Sequence, residues 1–145
     1  MSIPSGSPLV VISWWSNCLG LACLQRLAAY APDWPVYVVQ VGKSAVQQER
    51  FRQYMPPAVQ ELPYPADAPG EHSRVIADVV NRQLPSLPGL WFVDHDVFLQ
   101  ADWRGWLAAA DAWFNQSGIC LCLPWLSGNP AITQPAFWLS PAHWP

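Results

Sequence analysis

The sequence predicts an α/β fold, a mostly parallel sheet with helices on both faces. Three observations predict it. Short runs of β-prone apolar residues alternate with longer segments whose apolar residues recur at helical spacing, the order that parallel strands and crossover helices require. The best-formed runs are continuously apolar, as in strands buried on both faces. The chain has the length of one domain, 145 residues, and its 52% hydrophobic content fits a globular protein. Ten tryptophans and sixteen prolines argue against low-complexity disorder.

The elements follow in order. Residues 1–8 are a polar, proline-containing lead, expected to fray. Residues 9–13 form a buried strand. Ser16 and Asn17 can cap a helix over 18–30, with an apolar stripe of Leu21, Leu24, Leu27, Ala28 and Ala31. The Pro32-Asp33-Trp34-Pro35 run stops it. Residues 36–39 are a second strand, and Gly42 and Lys43 a turn. Ser44 and Gln47 have capping-box spacing, so a helix should run over 45–54, ended by Pro56 and Pro57. Residues 59–62 are a short third strand, followed by a proline-rich loop over 63–70. A helix over 71–84 buries Ile76, Val79, Val80 and Leu84, and turns Arg74, Asp78, Asn81 and Arg82 outward. Leu90-Trp91-Phe92-Val93 is the central strand. Asp102 can cap a helix over 102–114 whose Trp103, Trp106, Leu107, Ala110, Trp113 and Phe114 keep the 3.6-residue period. Residues 119–123 and 136–139 read as the fifth and sixth strands. Domain organisation is then a lead over 1–8 and one α/β domain over 9–145. The apolar run ending at Pro145 suggests a fold incomplete at its C-terminus.

Composition excludes several classes. Net charge is −3, and Lys43 is the only lysine. The six arginines are scattered, so no basic stripe marks a nucleic-acid partner. The cysteines, at 18, 23, 120 and 122, read as small buried hydrophobes in a reducing compartment, because Cys-x4-Cys and Cys-x-Cys are not the usual zinc spacings. The N-terminus lacks a basic region. The apolar stretch from Leu9 is interrupted by Ser13, Ser16, Asn17, Gln25 and Arg26, so no targeting or transmembrane segment is expected. The expected location is cytoplasmic.

The chemistry concentrates at Asp94-His95-Asp96. If the chain stays extended past Val93, Asp94 and Asp96 share a face and His95 points away. Two acids at the end of a buried strand need water, a cation or strong donors. Hard cations such as Mg²⁺ and Mn²⁺ take one or two carboxylates plus substrate phosphates. In such sheets, ligands bind at the carboxyl ends of the strands, where this pair falls.

In these features the sequence resembles the nucleotide-binding half of a glycosyltransferase with the GT-A, Rossmann-like fold, close to the family 2 type. The resemblance covers about residues 9–139. It rests on the first strand running into Asn17, the helix over 71–84, the Asp-x-Asp strand over 90–96, and the segment 132–140 that returns to the sheet. It implies a metal-dependent transferase using a nucleotide-sugar donor. Asp96 would hold Mn²⁺ or Mg²⁺ on the diphosphate, and Asp94 would contact the ribose or the metal shell. Ser13, Trp14 and Asn17 would border the nucleotide, and Arg74 and Asp78 would face the donor. The acceptor stays open between glycan, lipid and protein. Family members often carry an Asp after the second strand that reads the base, where this chain has Gln40-Val41-Gly42. The acceptor half and the catalytic base would lie beyond residue 145, so this chain alone would bind a donor without transferring sugar.

Other readings compete. A haloacid-dehalogenase-type phosphatase also places Asp-x-Asp after an apolar strand, the first Asp attacking phosphate. It needs a later lysine, and none follows Asp96. A non-catalytic or degenerate nucleotide-binding module is the third reading. Arg74, Asp78 and Arg82 are four apart, as in an exposed ion-pair row. Of Trp14 and Trp15, one is expected to pack and the other to flank base or sugar.

Overall fold

The computed structural model describes residues 7–30, 32–87, 90–97, 105, 121–123 and 136–139. The elements run β1 (Leu9–Trp14), α1 (Asn17–Tyr30), β2 (Val36–Val41), α2 (Ala45–Tyr54), β3 (Gln60–Leu62), α3 (His72–Asp78), a π-helical turn (Val79–Gln83), β4 (Leu90–Asp94), β5 (Leu121–Leu123) and β6 (Ala136–Leu139). The six expected strands are present. The helix expected over 102–114 lies outside the described residues.

The sheet order is β3-β2-β1-β4-β6-β5. The first four strands in that order are parallel, and β6 and β5 extend the sheet antiparallel to their neighbours. β1 and β4 are in register from Leu9 opposite Trp91 to Ile12 opposite Asp94. Strand alternation divides the core. Leu9, Val11, Val36, Val38, Trp91 and Val93 face one side, under Cys23, Leu24 and Leu27 of α1 and Phe51 of α2. Val10, Ile12, Val39, Val41, Leu90 and Phe92 face the other, under Val75, Ile76, Val79 and Val80 of the third helical segment. The crossovers to β2 and β3 cover one face, and the crossover back to β4 covers the other, as a constant crossover handedness requires. The direction of winding therefore reverses between β1 and β4, and that reversal positions the site.

Local chemistry explains the boundaries. Ser44 Oγ accepts from the Gln47 amide, and the Gln47 side chain accepts from the Ser44 amide, completing the capping box read from the sequence. The third helix does not continue as an α-helix to residue 84. It widens after Asp78, and the Leu84 amide donates to the Val79 carbonyl five residues back, at 2.8 Å. The lead also differs from expectation at its end. Ser7 and Pro8 are buried, the Ser7 carbonyl accepts from Trp34 Nε1 at 3.2 Å, and the Pro8 carbonyl accepts from the Trp91 amide at 2.9 Å. Those two bonds tie Ser7 and Pro8 to Trp34, just ahead of β2, and to β4. Among the described residues, no helix is long and apolar enough to cross a membrane.

Candidate functional site

The carboxyl ends of β1, β2 and β4 lie side by side, and three short segments leave them: Trp14-Trp15, Gly42-Lys43 and Asp94-His95-Asp96. β4 ends at Asp94. The Val97 amide donates to the Asp94 carbonyl at 3.1 Å and closes a turn, so strand alternation stops there. The expectation that Asp96 repeats the face of Asp94 along an extended strand is therefore corrected, because residues 95 and 96 belong to the turn.

Asp94 keeps the face of Leu90 and Phe92 and reaches α3. Its Oδ1 lies 3.1 Å from His72 Nε2. The His72 ring stacks on Trp14, with centroids 6.0 Å apart. Trp14 is thus the packed member of the tryptophan pair, and Trp15 is 67% exposed. Trp15 turns through a φ of +20°, and its amide donates to the Val41 carbonyl at 3.2 Å. His95 is half-buried and turns back to β1, where its Nδ1 accepts from the Trp14 amide at 2.7 Å. An accepting Nδ1 requires the neutral ring with its proton on Nε2. Burial holds the His95 pKa below the usual histidine value, with Lys43 acting in the same direction and Asp96 and Asp94 opposing. His95 is therefore a structural tie between β4 and β1. Asp96 is exposed, and its charge is felt by Cys23 of α1, whose thiol burial pushes up to about 12. Cys23 is a free, inert thiol and Cys18 a free, exposed one; the side chains of Cys120 and Cys122 lie outside the described residues.

Ser13 is fully buried at the end of β1. Its Oγ accepts from Lys43 Nζ at 2.8 Å. Asn17 opens α1 and joins it to α2, donating from Nδ2 to the Gln47 carbonyl at 2.9 Å. Its Oδ1 has no hydrogen-bond partner among the described residues. Lys43 and His72 were missed in the sequence. Local pattern marks Lys43 only as a turn residue and His72 only as part of a helix. Its being the only lysine, placed just after a buried strand, was the available signal for Lys43. His72 offered none, because its partner is 22 residues away.

Arg74 and Asp78 occupy a different place. They line a cavity of about 780 Å³ with Arg52, Tyr64, Arg82 and Gln83. The arginines are thus less scattered than the sequence suggests. The expected ion-pair row forms in part: Arg82 pairs with Asp78 at 3.1 Å, but Arg74 pairs with Glu71 at 3.4 Å. Four of the seven residues expected to form the site, Ser13, Trp14, Asn17 and Asp94, therefore occupy the carboxyl edge with Asp96 beside them. The other two, Arg74 and Asp78, line that cavity instead.

The donor set bears on a metal. Among the described residues, no group of three or more His, Cys, Asp or Glu could hold one. The carboxylates at this edge are Asp94, 3.1 Å from His72, and the exposed Asp96.

No family model and no curated protein matches the chain. Solved structures do. A protein from Desulfovibrio desulfuricans G20 assigned as a nucleotide-diphospho-sugar transferase superposes with a TM-score of 0.64 at 9% identity, over 100% of this chain and 66% of its own. The galactosyltransferase LgtC, solved with donor and acceptor sugar analogues, gives 0.51 at 9% identity, over 92% of this chain and 57% of its own. TarS from S. aureus gives 0.50 at 16% identity, over 88% of this chain and 38% of its own. The GT-A-like resemblance read from the sequence is thereby shown at the level of fold. The chain spans less than two thirds of the length of each of these structures.

Proposed function

We propose that this chain is the donor-binding part of a glycosyltransferase that uses a nucleotide-diphosphate sugar. One observation carries the reading. Asp94 ends β4 beside the end of β1, where the winding of the sheet reverses, and open α/β sheets bind their ligands at such a point. The fold shared with nucleotide-sugar transferases supports it.

Ser13, Trp14 and Asn17 border the nucleotide in this reading. Asp94 and Asp96 would hold Mg²⁺ or Mn²⁺, which would supply charge neutralisation for the diphosphate. His72 holds Asp94 in place through Oδ1 and leaves Oδ2 for the ion or the ribose. His95 fixes the turn against β1. Arg74 and Asp78, on their separate cavity, approach the donor only if it extends past the 63–70 loop. The expected cytoplasmic location and the absence of a nucleic-acid partner remain part of the proposal.

Equilibrium binding of UDP- and GDP-sugars, with and without Mn²⁺, tests it. Binding should require the metal, and Asp96→Ala should weaken it by ~100-fold, as expected when a metal ligand charge is lost. Binding that ignores both metal and Asp96 would point to a nucleotide module without transferase chemistry. Phosphate release from a phosphomonoester that depends on Asp94 would point to a phosphatase.

A further inference from the structure

Lys43 follows β2 at the carboxyl edge and turns inward until none of its surface is exposed. Its Nζ donates to Ser13 Oγ at 2.8 Å and lies 4.0 Å from the centre of the Phe51 ring. Among the described residues, no carboxylate is within ion-pair distance of it. The surrounding elements offer little charge. Glu61 of β3 favours the ammonium through space, but that carboxylate already accepts from Arg52 and Gln40. His95, after β4, is repelled by it. α2 presents Phe51 and the neutral Gln48, and α1 presents Gly20 against Ser13. Asp67, on the following loop, donates its amide to the Lys43 carbonyl, at 2.9 Å, and is itself exposed.

A buried ammonium with one hydroxyl and one ring for company is poorly compensated. Burial pushes its pKa down to about 8. Among the described residues no acid corrects this, and the charge stands just beneath the edge where a ligand of this sheet binds. A unit charge in a low-dielectric setting acts over several ångströms without contact.

We propose that Lys43 is a positioning residue for an anionic ligand: its buried charge draws and orients a nucleoside diphosphate at the carboxyl ends of β1 and β2. This rests on the donor-site reading above. It adds a cation of the protein's own beside the metal of that reading.

Calorimetric titration of the whole chain with uridine and guanosine diphosphates in the presence of Mn²⁺, at about pH 8 in two buffers of unlike ionisation enthalpy, counts the protons taken up on binding. If the bound diphosphate raises the lysine by about one unit, wild type takes up ~0.4 proton per nucleotide more than Lys43→Met. That variant keeps the bulk, loses the charge, and should bind ~10-fold more weakly. The difference in uptake should nearly vanish at about pH 7, where the lysine is already charged in the free protein. A merely structural lysine would not give that pH profile. Lys43→Gln provides a second variant, and a cooperative melting transition confirms that each is folded. Equal affinity and equal uptake in the folded variants overturn this inference and leave the donor site standing. A wild-type chain that binds neither nucleotide, with or without Mn²⁺, overturns both.

Discussion

Lys43 should cost the protein stability at neutral pH, and the sign follows from its two pKa values. Unfolded, it titrates near the ordinary 10.5; folded, burial brings it to about 8. Between those values the unfolded chain binds more protons, so stability rises with pH across that window. Below it the full penalty applies. Lys43→Met should therefore raise stability at pH 7 by about 1–3 kcal/mol, the upper figure reduced by the lost bond to Ser13. The gain should shrink steadily from pH 8 to above pH 10, which urea denaturation across that range would measure. A gain that does not change with pH would mean that the lysine is not the titrating group. At this scale the sequence was partly legible. Asp94 and Asp96 announced themselves, because adjacent acids after a buried strand have no packing role. The partners of Ser13 and Asp94 could not be read, because Lys43 and His72 arrive from 30 and 22 residues away.

Between elements, α1 approaches β1 closely at Gly20. A Cβ on Gly20 would run into Ser13 Oγ and come within 2.9 Å of Phe51 Cε2. Neither neighbour has room, since Ser13 holds Lys43 and Phe51 is fully buried. Gly20→Ala should thus destabilise by about 1–3 kcal/mol despite the higher helix propensity of alanine. A lower urea midpoint at unchanged m would show it, whereas a stabilised variant would mean that α1 can lift without cost. The capping box of α2 was readable from two residues because both bonds are local. The strand carrying the acids was readable for the same reason. Its end was not: alternation argues only while the chain is extended, and the bond from Val97 to the Asp94 carbonyl turns it one residue too early. The π-helical turn over Val79–Gln83 was equally invisible, because its extra residue leaves the apolar spacing of Val79 and Val80 intact.

At the scale of the whole molecule, a ligand seated where β1 and β4 diverge should brace the two halves of the sheet together. Donor nucleotide with Mn²⁺ at a hundredfold over its Kd should stabilise the fold by about 2.7 kcal/mol. For a domain of this size that is a rise in melting temperature of ~5–10 °C. The rise should be absent with nucleotide and chelator and absent in Asp96→Ala; a metal-independent rise would assign the binding to other groups. Taken by itself, the sequence determined the layers. Continuous apolar runs at 9–13, 36–39 and 90–93, separated by helix-period segments, can be buried only as parallel strands covered on both sides. It also determined which strand end carries the acids. The tertiary structure alone decided that β4 lies beside β1, that Asp94 meets His72 while Arg74 and Asp78 face another cavity, and that the one lysine is buried beneath the edge. The reason is physical: periodicity reports which side of an element is dry, whereas strand order and the meeting of distant polar groups depend on contacts that no local pattern encodes.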